Sequence, residues 1–162
     1  MKFIMASYSF SIQNAVDLLR ALNAAVDDYL ADPLSSRKAL ECAMFSWHLV
    51  DWIWKEYPAV VTLFRKKDAY RLRLKSQCKS LSYMQDITNG TKHWEITRYQ
   101  PVVKKTEERH GAFSDGFDRK VFDVSCLKIT LEDGTVVYFD EEIIKVRDYW
   151  NTYFAEMLSE RV

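Results

Sequence analysis

The segment from residue 35 to residue 57 is apolar on nearly every side, and this property constrains the fold more than any other feature of the chain. Ser35 or Ser36 can cap the start of a helix here, and Pro58 ends it. A helix that is apolar all round has to be covered by other elements on every side. The segment therefore predicts the central helix of a bundle, and its main apolar residues are Leu40, Ala43, Phe45, Trp47, Leu49, Trp52, Ile53 and Trp54.

Four other segments have the spacing of helices that would surround this one. Ser11 can cap a helix that runs to about residue 31, where the chain meets Asp32-Pro33. A short helix fits residues 68–78, and another follows from Ser80 or Ser82 to about residue 93. Asp140 can cap a last helix that carries one apolar face. These segments predict an antiparallel helical bundle formed by residues 11–94 and 140–160.

Beyond Trp94 the apolar pattern changes to a period of two, which is typical of strands. Alternation occurs over residues 95–99, 127–131 and 135–139, and Asp133-Gly134 separates the last two runs as in a tight hairpin. Residues 104–120 are charged and contain two glycines, so we expect a mobile loop there. The chain is therefore predicted to be mainly α in the α+β class, with a β-hairpin or small antiparallel sheet (residues 95–139) inserted before the C-terminal helix.

Composition fits one domain spanning residues 1–162, because a chain that is 48% hydrophobic can bury one substantial core. Lys+Arg and Asp+Glu both number 23, so no global field attracts nucleic acid or a membrane. We expect no membrane segment and, since the three cysteines form no CxxC pair, reduced thiols in a cytoplasmic protein. The five tryptophans mostly fall on predicted core faces. No cofactor motif such as a P-loop or GxGxxG is present.

Polar residues are concentrated on two of the predicted helices. On the central helix Glu41, Met44, His48, Asp51 and Lys55 repeat at intervals of three and four. On the helix that ends near residue 93 the same spacing joins Ser82, Asp86, Asn89 and His93. Residues three and four apart lie on one helix face, so each set forms a stripe. We expect the two stripes to face each other across a shallow groove.

The second stripe resembles the end of a late helix in HEPN-type helical domains, where a polar motif finishes in histidine, here His93. The chain is also similar to bacterial proteins with an HLxDW helix, an RDIxNxxKH helix end, a β-hairpin and a terminal helix. It departs from both patterns at the arginine, which four to six residues should separate from the final histidine: Asp86, Ile87 and Thr88 stand at those positions, and Gln85 precedes them. Without that guanidinium, a metal-independent ribonuclease loses its main electrostatic stabilisation of the transition state.

The resemblance implies an RNA-binding protein or metal-independent ribonuclease of a stress or defence system that acts as a homodimer. In such a ribonuclease His93 would be the general acid or base, with Asp86 to orient it and His48 acting from the facing helix. Asn89 and Lys92 would contact phosphate, with Asp51 beside them.

Two other hypotheses remain open. The same polar residues can form a buried hydrogen-bond network that fixes helix register in a non-catalytic protein-interaction module. The sheet edge and the loop at 104–120 would then bind the protein partner. A metal site is the weaker hypothesis, because His48 with Asp51 and Asp86 with His93 offer only a distant analogue of known bundle metal motifs.

A basic segment precedes the second polar helix. Between residues 65 and 79, seven basic residues stand against one acid. Arg71 and Arg73 are candidate phosphate contacts, and Tyr70 is available to stack on a base. The ordinary alternative is a solvated helix face.

Overall fold

The computed structural model describes residues 8–114 and 116–158. Within these residues the chain forms helices followed by a small sheet and a last helix, which confirms the predicted mainly α, α+β class. In chain order the elements are α1 (Ala15–Leu30), α2 (Ser36–Glu56), α3 (Pro58–Phe64), α4 (Lys67–Gln77), α5 (Ser80–Lys92), β1 (Val103–Arg109), β2 (Cys126–Leu131), β3 (Val136–Tyr138) and α6 (Phe139–Thr152), which continues as a π-helical turn over Tyr153–Leu158.

Helix α2 lies at the centre, as its all-round apolar sequence predicts. It packs against α1, α3, α5 and α6. Its core side chains are almost completely buried. The indole N–H of Trp150 donates to the backbone carbonyl of the buried Ser46 at 3.0 Å. The same core includes Ile129 and Leu131 of β2, so bundle and sheet share one hydrophobic interior.

The predicted hairpin is present. Gly134 has a φ of +86°, a left-handed conformation that glycine adopts at no steric cost, and its N–H donates to the carbonyl of Leu131 at 3.0 Å. The side chain of Asp133 accepts from the backbone N–H of Thr135 at 2.8 Å. Strands β2 and β3 then pair antiparallel, with Ile129 opposite Val137.

The first strand lies elsewhere than expected, and the prediction of a loop over 104–120 is wrong in its first part. Residues 95–99 form no regular structure, whereas Val103–Arg109 pairs antiparallel with β2, for example Glu107 opposite Lys128. The strand was overlooked because it lies at the sheet edge, where both faces can carry charge and the alternating apolar signal disappears.

Helix boundaries differ from expectation at three points. The first helix begins at Ala15, and not near Ser11, because the side chain of Asn14 accepts from the backbone N–H of Asp17 at 2.8 Å and caps the helix there. Helix α3 was not expected and ends at Arg65, whose φ is +60°. The last helix begins at Phe139, one residue before the predicted cap.

Candidate nucleic-acid interface

Asp86 is buried, with 5% of its surface exposed, and its carboxylate holds the chain that leads into the sheet. Its Oδ2 accepts from the backbone N–H groups of Val102 and Val103 at 2.7 and 2.9 Å. Its Oδ1 accepts from the hydroxyl of Tyr99 at 2.8 Å. These three donors occupy both carboxylate oxygens, so the structure gives Asp86 a structural role instead of the predicted one of orienting His93.

Asn89 belongs to the same network. Its Nδ2 donates to the hydroxyl of Tyr99 at 2.9 Å, so that this hydroxyl both accepts from Asn89 and donates to Asp86. Burial, followed by the hydrogen bond to Asp86, raises the pKa of Tyr99 to about 12. The network ties the segment after α5 back onto α5. The predicted contact of Asn89 with phosphate stays a prediction.

His93 ends helix α5 at the surface. Its backbone N–H donates to the carbonyl of Asn89 at 2.9 Å, and its side chain is exposed. Lys92 before it is exposed as well. The predicted buried network of His48, Asp51, Asp86, Asn89 and His93 is therefore wrong, because its two histidines lie in solvent.

His48 is an exposed residue of α2 whose pKa is affected by one charge on its own helix and one on α5. Partial desolvation lowers its pKa, the charge of Asp51 opposes this effect, and the charge of Lys92 adds to it. Helices α2 and α5 pack against each other, and the charge of Lys92 at the end of α5 contributes to the lowered pKa of His48. No described hydrogen bond or ion pair joins the two predicted stripes, because Asp51 pairs with α4 and Asp86 with the segment after α5.

Asp51 joins α2 to the basic helix α4. Its Oδ1 lies 2.7 Å from Nζ of Lys67 and 3.1 Å from the guanidinium of Arg71. Desolvation alone would raise the pKa of Asp51, but the two cations outweigh it and the pKa is lowered. One carboxylate therefore positions two cationic side chains. The predicted role of Asp51 in binding becomes indirect.

The remaining residues of α4 divide between surface and core. Arg71 also lies over the ring of Trp47, 5.9 Å from its centroid, and Arg73 is exposed. Lys75 donates to Oε1 of Gln85 on α5 at 3.0 Å. Tyr70 is completely buried, so the prediction that it stacks on a base is wrong.

These contacts define one continuous surface, which we call the α2–α4–α5 face. Electrostatic coupling also links Lys75 to Arg71, and Lys92 to His48. The face carries four cations and two carboxylates, since Asp68 also pairs with Arg71 at 3.5 Å. Its members are Lys67, Arg71, Lys75, Lys92, Asp51, Asp68 and His48. Such a surface can bind an anion that extends across several helices.

A second polar site was not found from the sequence. A cleft of about 780 Å³ lies between the start of α5, the hairpin and α6. At its wall Glu142, 4% exposed, accepts from the hydroxyl of Ser80 at 2.5 Å and pairs with Lys145 at 2.6 Å. Its position in the sequence could have indicated this site. Glu142 lies three residues after Phe139 and four before Val146, and because both of these are buried, Glu142 falls on the core face of α6. Its contacts link α5 to α6.

The metal hypothesis receives no support from the described part of the chain. Within residues 8–114 and 116–158, no three His, Cys, Asp or Glu side chains come together in a group that could hold a metal ion. Nor does any helix among those residues have the length and apolar character to cross a membrane. Comparison with protein-family models, with curated proteins and with solved structures gives no match, so the resemblance to HEPN-type domains stays a prediction.

Proposed function

We propose that this protein binds RNA through the α2–α4–α5 face. The observation that carries the proposal is the arrangement around Asp51, which holds Lys67 and Arg71 side by side at 2.7 and 3.1 Å while Lys75 and Lys92 extend the positive surface. Formal charges cancel over the whole chain, so this local excess is where a polyanion gains most. Prepositioned cations also lose less side-chain entropy on binding than free ones.

The proposal is for binding without cleavage. Asp86 already accepts three hydrogen bonds, and no arginine stands in the motif before His93. A general acid or base at His93 would therefore lack both its orienting carboxylate and the usual stabilisation of charge on phosphorus. A HEPN-like relationship, a homodimeric state, a cytoplasmic location and a role in stress or defence stay predictions.

The test measures how affinity for RNA depends on salt. Fluorescence anisotropy of a labelled 20-nucleotide RNA gives Kd between 50 and 200 mM KCl for the parent and for the double variant Lys75→Gln/Lys92→Gln. If both lysines contact phosphates, the slope of log Kd against log salt falls by about two and affinity falls about tenfold. The matched control is Arg20→Gln/Arg37→Gln, which removes two exposed cations outside the face.

Three outcomes would count against the proposal. Absence of binding by the parent refutes it, and so does an equal loss in the control variant, which would show that only net charge matters. Cleavage of the RNA in excess EDTA, abolished by His93→Ala, would show that the ribonuclease prediction is right and the restriction to binding is wrong.

One observation favours a second candidate, the binding of a protein partner by the segment between β1 and β2. Phe113, Phe117 and Phe122 form an aromatic cluster with ring centroids 4.8 to 5.4 Å apart, and all three remain partly exposed. Val121 beside them is exposed as well. If a second copy docks here, sedimentation velocity will show concentration-dependent association that Val121→Asp abolishes. A parent that stays monomeric excludes self-association at this cluster.

A further inference from the structure

Trp94 is the one tryptophan in the described chain whose side chain is fully exposed. Its relative exposure is 105%, whereas Trp47 and Trp150 are buried and Trp52 and Trp54 are partly buried. An indole is largely apolar, and an exposed indole is a common contact for a partner. The expectation that the tryptophans lie in the core therefore fails at this residue.

Trp94 lies beside the α2–α4–α5 face. It follows Lys92 by two residues, so their Cα atoms are at most about 7.6 Å apart. Lys92 is a member of that face, so the backbone of Trp94 lies at its edge. Arg98 farther along the same segment is also exposed. An exposed indole flanked by cations is the combination that single-stranded nucleic acids recognise.

The segment that carries Trp94 is attached at both ends to one helix. At its start, the N–H of His93 donates to the carbonyl of Asn89 at 2.9 Å. At its end, Tyr99 and Val102 donate to Asp86 at 2.8 and 2.7 Å. These attachments shorten the free length of chain around Trp94 and so reduce the entropy lost when the indole is held by a ligand.

We infer that Trp94 stacks on a base of single-stranded RNA whose phosphates contact the α2–α4–α5 face. The inference rests on the proposed function and adds a substrate class to it. In a duplex each base is paired and stacked on both sides, so an indole cannot reach its face without unstacking the helix. Single strands present unstacked bases, and stacking is largely independent of base identity. The protein should therefore prefer single-stranded RNA without marked sequence specificity.

The test compares a labelled U12 RNA with a 12-base-pair RNA duplex, using Trp94→Ala, Trp94→Phe and the control Tyr8→Ala, which truncates another exposed aromatic residue. We expect Trp94→Ala to weaken U12 binding about 5- to 100-fold, the range for loss of one stacked base. Duplex affinity should change less than about twofold, and Trp94→Phe should retain most of the affinity for U12. U12 should also quench tryptophan fluorescence in the parent and much less in Trp94→Phe.

The results separate this inference from the proposed function. If the parent binds RNA with a steep salt dependence but Trp94→Ala binds U12 as tightly as the parent does, stacking is refuted and the α2–α4–α5 face is retained. An equal loss for U12 and duplex also refutes stacking, because it shows a contact unrelated to exposed bases. If the parent binds neither RNA, both proposals fall. Because the replaced side chain is fully exposed, the variants should melt with the parent.

Discussion

Replacing Asp86 by alanine should unfold the junction between α5 and the sheet, because its carboxylate accepts three hydrogen bonds from the segment that follows α5. The donors are the hydroxyl of Tyr99 at 2.8 Å and the N–H groups of Val102 and Val103 at 2.7 and 2.9 Å. Alanine supplies no acceptor. Two backbone N–H groups and one hydroxyl would then have to find water or remain unpaired.

The size of the effect follows from the contacts. A hydrogen bond to a charged group contributes about 1.5–3 kcal/mol, and three in one network are not additive. Because the donors lie at the edge of a segment that can relax toward water, we expect Asp86→Ala to lower the free energy of unfolding by about 3–5 kcal/mol. For a chain of 162 residues this corresponds to a fall in Tm of about 6–20 °C.

Asp86→Asn refines the prediction. The amide oxygen can still accept from Val102 and Val103, but the amide nitrogen then faces the hydroxyl of Tyr99. That hydroxyl already accepts from Asn89, so its own proton would lose its acceptor. We expect a loss of about 1–2 kcal/mol, clearly smaller than for alanine.

Urea denaturation followed by circular dichroism measures these differences. The controls are Asp148→Ala, which removes a mostly exposed carboxylate of α6, and His93→Ala, which removes an exposed imidazole. Both should stay within about 0.5 kcal/mol of the parent. A loss below about 1 kcal/mol in Asp86→Ala, or an equally large loss in His93→Ala, would refute the structural role of Asp86 argued here.

Three other predictions follow from single contacts. Desolvation lowers the pKa of His48 below its ordinary 6.5, so as the pH falls the unfolded chain binds a proton at this residue at a higher pH than the folded chain does. The free energy of unfolding should therefore fall from pH 7 to pH 5 by less in His48→Gln than in the parent. Equal pH profiles of the two proteins in urea denaturation would contradict this. Glu142→Ala should lower the free energy of unfolding by about 1–3 kcal/mol, whereas replacement of the exposed Glu141 by alanine should lower it by less than about 0.5 kcal/mol. Equal melting curves of the two variants would exclude a stabilising role for the buried carboxylate. Arg119→Lys removes the bidentate pairing of the guanidinium with Asp140, so chymotrypsin should cut the segment before β2 about fivefold faster. An unchanged rate of cleavage would show that this pairing does not stabilise the segment.

The sequence by itself determined the elements that depend on neighbouring residues, such as the turn between β2 and β3, or on a largely apolar surface, such as α2. A segment that is apolar on most sides predicts the central helix, and α2 packs against four other helices. Asp133-Gly134 between alternating runs could only be a tight turn, and Gly134 has the required positive φ. Helix spacing also assigned the residues of each polar stripe to one face of their helix.

Only the tertiary structure decided what the polar residues do. Asp86 finds its donors 13 to 17 positions later, across a segment with no periodicity, so no local pattern indicates whether it faces a histidine or a backbone. The path of the segment after α5 also leaves the side chain of Trp94 in solvent, although an indole is largely apolar and is usually buried. Spacing assigns a side chain to a face of its helix, but the partners that meet that face come from distant parts of the chain, and they decide between a structural and a binding role.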